Sequence, residues 1–388
     1  DLATGDNEIK VANKLINDRI SEAPGSVFGQ DTMIQYSETS FNRIAESLRL
    51  TFFPEIGCDR NNSHFRDLKE NSLGYNNLIY IATVLAELSQ PEQKDSDIEF
   101  LKILLIEEPE AHLHPQLQIK LLKYLETQAK KNKIQVIVTT HSPVLASAVS
   151  LDSIIHLCKN DKDNYQATSL KECGLPDQSK NFVSRWLDVT KSTLLFAKGV
   201  ILVEGISEAM LVPEFAKRIL EDHNKATEIN ENELPYSLEE AGVSVVNMNG
   251  IYFKHFMQLF CNIENEEGDY INIRCAGITD CDPGRNKWPF LKNQYPCENN
   301  KVKDIIVKIN KSSNVRLLQN HYKTFEYDLA LDSGNTIQMI QTLIDNWSTD
   351  GDVKKEMEEI KGEIKREEVS IELLSTKCNK IVERIAEF

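Results

Sequence analysis

The chain has 388 residues, enough for two or three domains each with its own core, and its 41% hydrophobic and 27% charged residues are ordinary globular composition rather than that of a disordered chain. A formal net charge of -16 disfavours broad contact with phosphate backbones, so nucleic acid binding here needs a local basic groove or carboxylates that hold divalent cations. Eight cysteines without a C-x-x-C pair argue against a zinc ribbon and a disulfide framework, and runs such as "GVILVEG" and "KILLIEE" fall far short of the roughly 20 apolar residues of a membrane span, so a cytoplasmic protein without a membrane anchor is expected.

In chain order, "DLATGDNEIKVANKL" has no basic region followed by an apolar core and does not read as a signal peptide; beginning at Asp1, it reads as the middle of a longer protein. Helix-spaced apolar positions run over 6–22 and 41–50, separated by the loop-like "SEAPGSVFGQD", and 1–70 is assigned as a helical connecting part. A second module, 71–180, follows. There "NSLGYNNLIYIATVLAEL" (71–88) is a Gly turn entering an apolar helix, "FLKILLIEEPE" a buried strand, "HPQLQIKLLKYLETQAKK" an amphipathic helix, and "KIQVIVTTHSP" (133–143) a second buried strand. "LDSIIHLCKN" and "NYQATSL" read as two short strands, and "NFVSRWLDVTKSTLLFAK" (181–198) as a linking helix.

A fresh unit spans 199–335: "GVILVEG" is a strand, "SEAMLVPEFAKRIL" a helix, and "GVSVVNMNG", "INIRCAGITDCD" and "NVRLLQN" are strands. Residues 336–388 read as helical, with "DVKKEMEEIKGEIKREEVSIELL" a solvated or coiled-coil helix. The fold class is α/β with parallel sheets.

Two constellations carry chemistry. In "ILLIEEPE", Glu107 and Glu108 leave the end of a strand, where one carboxylate can hold Mg²⁺ through water and the next can polarise an attacking water. His141 in "TTHSP" ends the neighbouring strand, placed to sense a γ-phosphate, and Ser72 and Gly74 precede a helix whose N–H groups favour an anion. Each piece alone is more often structural; the ordered set is more specific. It resembles the C-terminal lobe of ABC-type ATPases of the SMC and RecF kind. That resemblance implies ATP with Mg²⁺, Ser72 and Gly74 on the nucleotide held by a partner protomer's phosphate loop, Glu107 serving magnesium, Glu108 activating water, and His141 as the switch histidine. The chain departs from the pattern in having Glu107 where most such ATPases have Asp, and in lacking a G-x-x-x-x-G-K-[ST] loop.

The second constellation begins with Glu204 at a strand end and Glu208 one helical turn later. "GITDCDPGR" supplies Asp280 and Asp282, alternate residues that face one way in an extended segment, and "KTFEYDLA" adds Thr324 and Glu326. Hard oxygen ligands at strand ends suit Mg²⁺ or Mn²⁺, and a pair of ions can stabilise both oxygens of a phosphodiester displacement. A strand ending in Glu-Gly, then one ending in D-x-D-P-G, is the mark of a Toprim domain. The full order of motifs resembles the OLD (overcoming lysogenization defect) nucleases, an ABC ATPase fused to a C-terminal Toprim nuclease, whose relatives include the Gabija nuclease subunit.

The resemblance implies Glu204, Glu208, Asp280 and Asp282 as metal ligands, with Thr324 and Glu326 completing a second ion's shell and Glu204, Asp280 and Asp282 at the cleavage centre. It also implies DNA as substrate, a homodimer or larger assembly, and a helicase or other defence partner. That family uses a lysine downstream of T-x-E in a K-x-x-F-A-like context, which is missing here; Lys377 and Lys380 are the nearest candidates. A topoisomerase needs a nucleophilic tyrosine, and nothing singles out Tyr270 or Tyr327 for that role; a primase is disfavoured by the absence of a zinc-finger cysteine pattern. A RecF/SMC-like DNA-binding ATPase with a non-catalytic Toprim scaffold is the alternative reading.

Overall fold

The computed structural model describes residues 8–22, 30–36, 48–53, 66–90, 101–159, 164–226, 234–250, 252–262, 268–281, 300–321, 323–331, 335–348 and 351–366. The chain divides into two compact units, Asp1–Val149 and Ser150–Phe388.

In the first unit, α1 (Glu8–Glu22) precedes an antiparallel sheet in the order β1 (Asp31–Tyr36), β2 (Leu48–Phe53), β3 (Arg66–Asp67). Residues 48–50, expected to close a helix, instead begin β2. Strand alternation sends Phe52 into a core with Ile16 and Ile20 of α1, whereas a helix would scatter Leu48, Leu50 and Phe52 around its circumference. The rest of that expected helix, 41–47, and most of the loop before β1 lie outside the described residues.

Helix α2 (Leu73–Leu88) starts where Ser72 Oγ accepts the Tyr75 N–H at 3.4 Å. It is apolar around most of its circumference because it serves two cores: Ile79, Ala82 and Ala86 face α1, while Leu78, Ile81 and Leu85 join the cluster built on α3 (Pro115–Asn132). β4 (Lys102–Glu107) and β5 (Ile134–Thr139) pair in parallel around α3, with Glu107 opposite Thr139. Leu104 and Ile134 pack with Leu117, Leu121 and Leu125. Ile103, Leu105 and Ile137, on the opposite pleat, are exposed. Both were expected to be buried strands; among the described residues α2 and α3 cover the Leu104 face, and the opposite pleat is open. α4 (Pro143–Ala148), capped by Ser142, closes the unit.

The second unit opens with an antiparallel hairpin of β6 (Ile155–Lys159) and β7 (Tyr165–Ser169), then α5 (Asp177–Trp186). The helix expected over 181–198 stops at Trp186. Asp188 draws the chain into a turn: its Oδ1 accepts the Lys191 N–H at 2.8 Å and the Thr190 hydroxyl at 2.6 Å, and its Oδ2 pairs with Lys191 Nζ at 2.7 Å.

The central sheet follows, built from β8 (Gly199–Val203), α6 (Ile206–Ala226), β9 (Val243–Asn247), α7 (Phe253–Met257), β10 (Arg274–Thr279), α8 (Asn300–Ile309) and β11 (Val315–Gln319). Its order is β11-β10-β8-β9 and every pairing is parallel, as the α/β grammar requires. β8 buries Val200, Leu202 and Val203, β10 buries Cys275, and β11 buries Val315 and Leu317.

The chain ends, among the described residues, in α9 (Phe325–Leu331), α10 (Asn335–Asn346) and α11 (Asp352–Arg366). α11 is not simply solvated: Met357 and Ile360, three apart on one face, are buried where α11 packs against α10. Among the described residues no helix is long and apolar enough to cross a membrane.

Candidate active site

Strands β8 and β10 are hydrogen-bonded neighbours with Ile278 opposite Val203, so the residues just beyond their carboxyl ends emerge side by side. They are Glu204 and Asp280. Glu204 Oε2 accepts two bonds of 3.0 Å, from the Thr279 hydroxyl and from the Asp280 N–H, which locks one strand end to the other. Glu208, only 3% exposed, turns back to accept the Gly205 N–H at 3.1 Å. A Cβ at residue 205 would lie 2.9 Å from that same carboxylate oxygen, so the glycine of the E-G pair leaves room for Glu208 to fold over the strand end.

Asp280 is held from the other side. Its Oδ1 accepts Asn320 Nδ2 at 2.8 Å and the Phe325 N–H at 3.1 Å, tying the end of β11 and the start of α9 to the cluster. This sets Thr324 and Glu326 next to the carboxylates. Thr324 Oγ1 caps α9 by accepting the Tyr327 N–H at 3.3 Å, and Glu326 in the first turn acts electrostatically on Glu208. Asp328 braces the same loop by accepting the His321 and Lys323 N–H groups at 2.5 and 3.1 Å.

Burial pushes the Asp280 carboxyl up to about 7, and the charges of Glu204 and Glu208 push the same way against the bonds from Asn320 and Phe325. Burial also raises Glu208, with Glu326 and Glu204 adding repulsion and backbone N–H groups opposing it. Like charges pressed together in this way are relieved by a divalent cation, and an all-oxygen donor set fits Mg²⁺ or Mn²⁺. Among the described residues, no three His, Cys, Asp or Glu side chains converge on one point as ligands. Asp282, Lys377 and Lys380 lie outside the described residues.

The first unit carries the other constellation. Glu107 and Glu108 close β4, and Glu108 adopts a φ of +42° with its N–H on the Thr139 carbonyl at 2.9 Å. Glu108 Oε1 stands 3.6 Å from His141 Nε2, and the two side chains are 51% and 85% exposed. Sequence reasoning gave no role to Glu110. Its Oε1 accepts the Thr140 hydroxyl at 2.5 Å and the His141 N–H at 2.9 Å, and its buried Oε2 has no partner among the described residues. The signal was present in the second Glu of E-P-E and the Thr of T-H-S-P. Ser72 caps α2, and Gly74 sits so close to the turn after β4 that a Cβ would lie 2.4 Å from the His112 carbonyl oxygen. The Gly turn and the acidic turn are therefore packed together.

Comparison with known proteins matches both halves. Residues 6–146 match the AAA ATPase domain family, and residues 195–282 match the TOPRIM domain of overcoming lysogenization defect protein-like proteins. Endonuclease GajA of Bacillus cereus (strain HuB5-5) is 26% identical over 236 residues, 55% of this chain and 31% of that protein. The OLD nuclease of Thermus scotoductus (strain ATCC 700910 / SA-01) is 31% identical over 115 residues, 28% of this chain and 22% of that protein. The Old nuclease of Escherichia phage P2 is 24% identical over 224 residues, 55% of this chain and 36% of that protein. The chain thus spans between 22% and 36% of the length of these relatives. It joins an AAA-type ATPase domain to an OLD-like Toprim domain.

Proposed function

We propose that the chain carries the cutting part, and a portion of the ATPase part, of a metal-dependent DNA endonuclease or nickase. The observation that carries this reading is the Glu204 and Asp280 pair, fixed to one another at the carboxyl ends of adjacent parallel strands with Glu208 and Glu326 beside them. Relatives named as endonuclease and OLD nuclease support it.

Glu204, Glu208, Asp280 and Asp282 hold Mg²⁺ or Mn²⁺, and Thr324 and Glu326 complete the shell of a second ion. Cations bound there supply charge stabilisation to the entering and leaving oxygens of a phosphodiester displacement. Asn320 and the Phe325 N–H fix the direction of the Asp280 carboxylate, and Glu204 fixes its backbone. In the ATPase part, Glu107 serves Mg²⁺ with ATP, Glu108 polarises the attacking water, and His141 reports the γ-phosphate. Ser72, exposed at the start of α2, faces nucleotide on a second protomer while buried Gly74 seats that turn on the acidic turn, so the working form is a homodimer or larger assembly in which ATP gates access of DNA. The setting is cytoplasmic anti-phage defence or DNA processing, with a helicase or other defence protein as partner.

Supercoiled plasmid with Mg²⁺ or Mn²⁺ tests this. Wild-type protein is expected to nick or linearise it, and Asp280→Ala is expected to be at least about a hundredfold slower; equal rates on every substrate would sink the reading. A DNA-binding ATPase of the RecF/SMC kind with a non-catalytic Toprim scaffold would bind DNA in a nucleotide-dependent way and cut nothing.

A further inference from the structure

Next to the carboxylates lies an aromatic cluster that the chemistry above does not use. Phe182 on α5 is its hub, with ring centroids 5.9 Å from Trp186, 4.9 Å from Tyr252 and 4.5 Å from His255. The fully buried Phe256 meets it edge-on at 6.2 Å, and the Ser179 hydroxyl and His255 Nδ1 are 2.9 Å apart, which fixes the histidine ring. The outer two rings are open: Trp186 is 51% and Tyr252 48% exposed. The cluster is also continuous with the strand ends. The Gly250 N–H donates to the Glu204 carbonyl at 3.1 Å, and the Tyr252 ring lies 3.3 Å from where a Cβ of residue 250 would be.

Single exposed apolar residues need no explanation, but two aromatic rings mounted on a rigid base beside a candidate phosphodiester site do. Rings held by packing lose little freedom when something stacks on them. In a chain of net charge -16, phosphate contacts need a local basic groove or bound cations, whereas base stacking supplies affinity without either. A base within a duplex keeps its faces stacked on its neighbours, so such a ledge fits bases that are unpaired.

We propose that Trp186 and Tyr252 form a stacking platform for unpaired bases of the DNA strand that flanks the phosphodiester to be cut at the Glu204 and Asp280 site. The proposal rests on the nuclease reading for its substrate and specifies the form of DNA preferred. The test uses the whole chain in EDTA, with Trp288→Phe and Trp347→Phe leaving Trp186 as the sole tryptophan. Oligodeoxythymidylate is expected to quench its emission.

By anisotropy of labelled oligonucleotide, Trp186→Ala/Tyr252→Ala is expected to weaken single-strand binding about tenfold or more while changing duplex binding less than about twofold. Trp186→Phe/Tyr252→Phe, which keeps the rings, is expected to bind as wild type and so separates stacking from misfolding. Unmoved emission, equal loss on single strand and duplex, or an unchanged affinity in the alanine variant would each overturn the platform; the last would leave a protein-docking surface. Plasmid cleavage by wild type is scored separately. Cutting without quenching removes the platform and keeps the nuclease; quenching and ring-dependent binding without cutting does the reverse.

Discussion

Two strand ends of this chain carry paired acids, and they are built in opposite ways. After β4, Glu107 and Glu108 stand in solvent, and Glu108 meets an exposed His141 at 3.6 Å. After β8 and β10, Glu208 is buried, the Asp280 carboxyl is pushed up to about 7, and Glu204 is bonded to the end of β10 while Asn320 and the Phe325 N–H hold Asp280. An exposed pair is suited to a site completed by something that arrives, as nucleotide and a second protomer do. A buried, wired cluster is suited to fixed chemistry around a cation. On the proposed reading, burial and hydrogen bonding set the same residue type at the same place in a βα unit to switching or to cutting.

Glu204→Ala should break the contrast most severely. It removes a proposed metal ligand and the acceptor for Thr279 and Asp280, and DNA cleavage should fall on the order of a thousandfold in a plasmid assay. Gly74→Ala attacks the other end: with a Cβ at 2.4 Å from the His112 carbonyl oxygen, α2 or the acidic turn must shift, at about 3 kcal/mol in denaturant unfolding. Asn320→Ala releases Asp280 Oδ1 and should weaken Mn²⁺ binding about tenfold, read by calorimetry, without touching a ligand.

A pH series sharpens the comparison. Unfolded, the Asp280 carboxyl ionises near 3.8 and folded near 7, so over that window the unfolded chain has lost a proton that the folded one keeps. Stability of the metal-free protein should therefore fall as pH rises from about 4 to about 7, and Asp280→Asn should flatten that slope in thermal melts. The smallest effect belongs to Glu108→Gly. It relieves a φ of +42° and loses only an exposed contact to His141, so it should raise stability by about 1 kcal/mol.

Four of the parallel strands, β4, β5, β8 and β10, have apolar runs that end in acids or in T-H-S-P, and both Glu204 and Asp280 were placed from that punctuation. What holds them was not legible. Asn320 reaches Asp280 from 40 residues away and Glu204 from 76, distances over which local spacing carries no information. Glu110 and Asp328 were hidden for a different reason: in a chain with 60 acidic residues, one bracing carboxylate looks like any other. Ser72 and Gly74 were read as nucleotide contacts, and the structure adds a cap and a close approach that those residue types also satisfy. Leu48 to Leu50 misled because a short apolar run fits either period until its partner strand is known.

The contrast between the two strand ends is tested most directly by Mn²⁺ titration of the nucleotide-free chain, following the free ion by electron paramagnetic resonance. The account predicts that Glu204→Gln or Asp280→Asn abolishes tight Mn²⁺ binding while Glu107→Gln leaves it unchanged. Mn²⁺ binding that survives both substitutions in the second unit, or that is lost with Glu107→Gln, would contradict it.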